Sequence, residues 1–172
     1  MDEIQTRFVD DYPTSVTRVA IWDGFRGYLQ AWLSAEKRLS PVIGDGGIIR
    51  FVWFGGSFIS GKLDPGNIDM TVFYEYDLFA QCSGQEGIGV LRKLFKRDSM
   101  LRRYRVSPIC VPSTYVRSPF QIGEANTAGH NYFLHRGAWD DWWQRVRPTG
   151  EPKGEPTPES SPSRRGYVEV EL

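Results

Sequence analysis

The stretch from Phe51 to Asp77, FVWFGGSFISGKLDPGNIDMTVFYEYD, constrains this chain more than any other. An aromatic and β-branched run ends in Gly55-Gly56-Ser57, a polar loop follows, and a second apolar run opens at Asn67-Ile68-Asp69. Bounded as they are by glycine, the two runs read as buried strands, Ile48 to Phe54 and Ile68 to Tyr76. The loop between them is too long for a tight hairpin and has room for one helical turn after Ser57. Gly55 and Gly56 let a backbone approach a ligand without a Cβ in the way, and Ser57 adds a hydroxyl and an N–H. A helical turn starting there would add free N–H groups and a dipole that favour an anion. Residues 67 and 69, two apart on a strand, share one face. Strand, phosphate-sized turn and carboxylate together predict a nucleotide site.

The flanks read as support for this hairpin. Residues 1–14 are a lead-in closed by Pro13 and the capping residues Thr14 and Ser15. Val16, Val19, Trp22, Phe25, Leu29, Trp32 and Leu33 recur at helical steps, which predicts an amphipathic helix over 15–38 with Arg18 on its solvated side and Pro41 ending it. A second helix is expected from about residue 88, carrying Leu91, Leu94 and Phe95. Tyr104 to Val111 reads as a third strand, with an edge or a bulge at Pro108. Residues 112–130 have loop character, and His130 to Val146 reads as one helix or two broken at Gly137. The Pro-rich stretch 148–163 predicts a disordered or mobile loop, and the alternation in 166–172 a strand returning to an open sheet edge. This order predicts one α+β domain over 1–172, a small mixed sheet flanked by helices.

Composition narrows the classes. The 21 basic and 21 acidic side chains cancel, so bulk charge recruits neither nucleic acid nor an anionic membrane. No window approaches 18 apolar residues, so no membrane-spanning helix is expected. The acidic N-terminus has no apolar core of a signal peptide, and the two cysteines, Cys82 and Cys110, form no disulfide framework. Reduced thiols and a cytoplasmic location are the expectation.

The spacing of Gly56-Ser57-x-x-x-Gly61, with Asn67-Ile68-Asp69-Met70 ten residues after the serine, resembles the signature of the DNA polymerase β-like nucleotidyltransferase superfamily, closest to its minimal members. The resemblance implies that fold, an NTP and Mg²⁺ bound by Gly55, Gly56, Ser57 and Asp69, and transfer of a nucleoside monophosphate to a hydroxyl on protein, RNA or a small molecule. It also implies a setting in bacterial or phage toxin–antitoxin or defence modules. Two metal ions are commonly needed to neutralise the developing charge, and carboxylates supply their oxygens. Asn67 stands where the family places its first carboxylate, leaving Asn67 and Asp69 as the candidate catalytic and metal-binding pair. The strand expected to bring a third carboxylate, Arg105 to Cys110, contains no acid. Asp64 is the nearest substitute, while Glu75 is six residues beyond Asp69 and too far. Lys62 is placed to help with a phosphate. The alternative is a catalytically degenerate domain of this fold that binds a partner protein or nucleic acid; an unrelated small α+β domain is the third reading.

Arg92, Lys93, Lys96, Arg97, Arg102, Arg103 and Arg105 place seven cations within 14 residues, opposed only by Asp98. Lys93, Lys96, Arg97, Arg102 and Arg103 are candidate nucleic-acid contacts, and a solvated helix face is the structural alternative. His130 and His135 are out of register for a helical metal pair. Trp139, Trp142 and Trp143 read as helix packing.

Overall fold

The two apolar runs pair as predicted. β1 (Ile49–Gly55) and β2 (Ile68–Glu75) run antiparallel, β3 (Val106–Ser113) lies parallel to β2, and β4 (Val168–Glu171) lies antiparallel to β1. The sheet order is β3-β2-β1-β4, so the C-terminal segment returns to an open edge as its alternation requires. These relations come from a computed structural model that describes residues 1–44, 46–124, 126–146, 162 and 164–172. The loop expected at 148–163 lies, apart from residue 162, outside the described residues.

Alternation sends side chains to two covered faces. Val52, Phe54, Ile68, Met70 and Val72 join the main core with α2 (Arg18–Ile43). Trp53, Phe73 and Val111 join Trp143 in a second cluster, beneath α6 (Thr127–Gln144). Burial on both faces is why β1 and β2 read as continuous apolar runs rather than alternating ones. The chain is therefore an α+β domain with a mixed sheet between helices.

α2 buries Trp22, Phe25, Tyr28 and Trp32, each at most 3% exposed. At about 25 cal/mol per Å² over about 150–250 Å² each, every ring contributes about 4–6 kcal/mol before entropy, far above helix propensity. The buried face differs from the predicted one. Val16, Val19 and Leu33 are exposed, whereas Arg18 is completely buried. The reason is a contact network: the Arg18 guanidinium donates to the carbonyl oxygens of Phe8, Phe58, Ser60, Lys62 and Leu63 and lies over the Tyr12 ring.

The helix also continues through Pro41 instead of ending there. Proline leaves the Lys37 carbonyl without its N–H donor, and the Ser40 hydroxyl supplies one at 3.0 Å. Glu36 then ties α2 to the sheet, its Oε1 accepting from Ile48 N, Ile49 N and Trp32 Nε1.

Other boundaries shift. The lead-in is ordered as α1 (Asp2–Gln5) and a π-helical turn (Thr6–Asp10), held by buried Ile4 and Val9. After α3 (Tyr76–Gln81), the expected second helix is two, α4 (Ile88–Leu94) and α5 (Arg97–Tyr104), so the third strand begins at Val106 rather than Tyr104. A 3₁₀ segment (Pro119–Glu124) lies in the expected loop, and α6 runs unbroken through Gly137. β3 is an edge strand with an unbroken register against β2, so of the two readings of Pro108 the edge holds and the bulge does not. Both cysteines are free. Among the described residues no helix is long and apolar enough to cross a membrane.

Candidate functional site

The Gly-Gly-Ser turn and Asp69 meet at one end of the sheet. Gly55, the last residue of β1, pairs with Asp69 across the ladder. Gly56 follows with φ of 68°, a left-handed conformation open to glycine and strained for other residues. A Cβ at Gly56 would collide with Asp69 Oδ2 and lie 3.1 Å from Asp69 Cγ, so the carboxylate is packed against the turn. The loop had room for one helical turn after Ser57, but only a hydrogen-bonded turn forms: Ser60 N and Oγ both donate to the Ser57 carbonyl, at 3.2 and 2.8 Å, and no helix lies between β1 and β2.

Gly55 has a different reason to be glycine. A Cβ there would enter the Trp143 ring, which α6 lays over the end of β1. Trp143 Nε1 donates to the buried Thr71 Oγ1 at 2.8 Å and fixes that placement. Arg165, ahead of β4, donates to the Trp143 and Gly56 carbonyls, both at 3.2 Å. On this face the space at Gly55 is filled by the chain itself; Gly56 is buried too, while Ser57 and Asp69 are half-buried.

The acids do not converge. Asn67 Nδ2 donates to Asp69 Oδ1 at 2.9 Å, so the amide steadies the carboxylate. On β3 the residue in register with Asp69 is Ser107, buried and accepting from Arg97 Nε at 2.6 Å. A hydroxyl held by a guanidinium thus lies beside Asp69, on the strand where the resemblance places a third carboxylate. Asp64 is engaged elsewhere: its Oδ1 accepts from Ser15 Oγ and Val16 N, both at 2.9 Å, and so anchors the start of α2. Glu75, at the far end of β2, pairs with Arg50 at 2.7 Å. Among the described residues no three His, Cys, Asp or Glu side chains gather where a metal ion could be held.

The remaining candidates fall into place around this core. Lys62 is exposed, and its backbone carbonyl is one of those Arg18 holds. Lys93, Lys96, Arg97, Arg102 and Arg103 are exposed on α4, α5 and the residue between them. His130 is exposed, with Nδ1 3.1 Å from the Asn126 carbonyl oxygen, and His135 is exposed too. Two residues that shape the site were missed. Arg18 orders the loop after Ser57, and its signal was its place in the 18-21-22-25-28-32 spacing of buried positions. Trp143 fills the space beside Gly55, and nothing in its local sequence announces that contact.

Fold and site define a small α+β domain with a glycine-serine turn packed on a single strand-borne carboxylate. The chain belongs to DUF6932, a family of unknown function, whose model matches residues 1–157. It matches no curated protein and no solved structure at a significant level.

Proposed function

We propose that this chain is a nucleotidyltransferase-like domain that holds a nucleotide's phosphates at the Gly56-Ser57 turn, with Asp69 meeting them through the Mg²⁺ that the nucleotide carries, without turning it over. The observation that carries the proposal is the packing of the Gly56 turn against Asp69 Oδ2, the juxtaposition that the sequence resemblance calls for. Arg165, on the Gly56 carbonyl, and Arg97, on Ser107 beside Asp69, are the cations adjoining the turn, and exposed Lys62 lies five residues beyond Ser57 in the same loop.

The donor set limits the chemistry. Nucleotidyl transfer commonly uses two divalent ions, each needing oxygen ligands with enough negative charge. One carboxylate steadied by an amide, beside a serine held by Arg97, does not fit that metal pair. A single Mg²⁺ carried in on the nucleotide is all that Asp69 can share. The domain then acts as a degenerate binding module, in the cytoplasm and in a bacterial or phage toxin–antitoxin or defence setting, both drawn from the resemblance.

A second reading, active transfer of a nucleoside monophosphate to a hydroxyl on protein, RNA or a small molecule, rests on Asp69 Oδ2 remaining turned toward Gly56. Incubation with α-labelled NTPs, Mg²⁺ or Mn²⁺ and cell lysate separates the two. The degenerate reading expects no label on any acceptor. Label transfer that disappears in Asp69→Ala would replace it with the active one.

A further inference from the structure

Helices α4 and α5 and the turn into β3 carry a positive surface, with exposed Asp98 as the one acid among its cations, that ends beside Asp69. Arg92, Lys93, Lys96, Arg97, Arg102, Arg103 and Arg105 are all exposed. Among the described residues, no carboxylate forms an ion pair with any of them. In a chain whose basic and acidic side chains cancel at 21 each, this is a local concentration rather than a bulk excess.

Five of the seven have a local explanation. Arg92 and Lys93 occupy the last turn of α4, Arg102 and Arg103 the last turn of α5, and Arg105 is the left-handed C-cap of α5. A cation there meets the negative end of a helix, worth about 0.3–1 kcal/mol. The other two stand at the positive end of α5: Lys96 is its N-cap and Arg97 its first residue, where Ser, Thr, Asp or Asn would cap. Arg97 bonds the Ser107 hydroxyl, and neither has an acidic partner among the described residues, which leaves an external anion as the available counter-charge.

The surface is continuous with the site. Ile68 N donates to the Arg105 carbonyl at 3.0 Å, between Asn67 and Asp69 in sequence, and Arg97 holds Ser107 in register with Asp69. Five of the seven cations are arginines, whose planar forks pair with phosphate oxygens in twos. Ile88, Leu91, Leu94 and Met100 point inward, Val90 and Leu101 reach the surface, and Phe95 and Tyr104 are half-buried, with the Arg103 guanidinium 5.0 Å from the Tyr104 ring centre. The exposed side chains are thus mainly cationic, unlike the aromatic-rich centre of a protein interface.

We infer that this surface binds a nucleic-acid strand through its phosphates and leads it to the Asp69 end of the sheet. The binding does not require a nucleotide in the cleft. Fluorescence anisotropy of the full chain with a labelled single-stranded RNA of about 20 nucleotides, over a salt series, tests it. With about six phosphate contacts, the slope of log affinity against log salt is about −4, a loss of about 300-fold between about 50 and 200 mM. The pair Arg102→Glu/Arg103→Glu weakens binding about tenfold or more and flattens the slope, while Lys37→Glu/Arg38→Glu, exposed on α2, stays within about threefold. Melting by circular dichroism establishes that both variants fold. Equal losses in the two pairs overturn the inference, as does absence of binding at the lowest salt. Displacement of the RNA by a polyglutamate peptide of equal charge also overturns it, in favour of an acidic protein partner.

Discussion

The Asp69 carboxylate occupies the space that a Cβ on Gly56 would need. Turn and carboxylate are therefore one unit, and the coupling is measurable. Gly56→Ala should cost about 1–3 kcal/mol by urea denaturation, combining left-handed strain with displacement of Asp69. In an Asp69→Ala background the collision with Oδ2 and Cγ disappears, leaving the close approach to the residue 69 Cβ and about 1 kcal/mol of backbone strain, so the cost falls. Equal costs in both backgrounds would mean that the two residues do not touch.

Arg18 should behave as a core residue although it is charged. Its guanidinium satisfies five carbonyl oxygens in the segment before α2 and in the loop after Ser57. Arg18→Met leaves these acceptors, the buried Phe58 carbonyl among them, without their donor, at about 3–5 kcal/mol. Arg18→Lys recovers little, because an ammonium cannot reproduce the planar fork. Equilibrium unfolding that finds either variant within about 0.5 kcal/mol of the parent would contradict the network, since that is the range of surface substitutions.

Trp143 and Thr71 should be coupled through their hydrogen bond. Trp143→Phe leaves the buried Thr71 hydroxyl without its donor at a cost of about 1–3 kcal/mol, part of it lost packing. Adding Thr71→Val removes the orphaned hydroxyl and recovers a share of the loss. A strictly additive double-mutant cycle would argue that α6 does not hold Trp143 against β2.

Alkaline pH should unfold the domain early. Burial pushes the Cys110 thiol up to about 12 from 9.0 and holds the Tyr28 hydroxyl well above 10.0. Burial and the hydrogen bond to Asp140 raise Tyr167 to about 12 as well. A raised folded-state pKa contributes stability that is fully present below the unfolded value and is lost as pH climbs toward the folded one. Stability should therefore fall from about pH 9 toward about pH 12. Thermal melts across that range check it, and a flat profile would show that these groups titrate alike in both states.

The hairpin, the edge position of Pro108 and the returning C-terminal strand were legible because each is a local pattern. Strand alternation, the missing N–H of proline and glycine boundaries act within a few residues. The shifts arose where a distant partner decides. Arg18 reads as solvated until the carbonyls of residues 58–63 close over it, and Pro41 reads as a helix stop until Ser40 supplies the missing donor. α5 was hidden because its Arg-rich sequence has a single buried residue, Met100, and so lacks an apolar stripe. At the site, the motif spacing foresaw that the turn and Asp69 meet. It did not foresee Trp143 over Gly55 or Arg97 on Ser107, contacts from elements 88 and 10 residues away in sequence that no motif encodes.

The central claim is that Gly56, Ser57 and Asp69 form a nucleotide's phosphate site. Its most direct test is the melting temperature of the full chain with ATP, GTP, CTP or UTP and Mg²⁺, in the parent and in Asp69→Ala. At ligand about 100 times its Kd, binding adds about 2.7 kcal/mol, which for a domain of this size raises the melting point by several degrees. The account predicts that rise for at least one nucleotide in the parent and its loss in Asp69→Ala. A parent that melts unchanged with all four, or an equal rise in the variant, would contradict it.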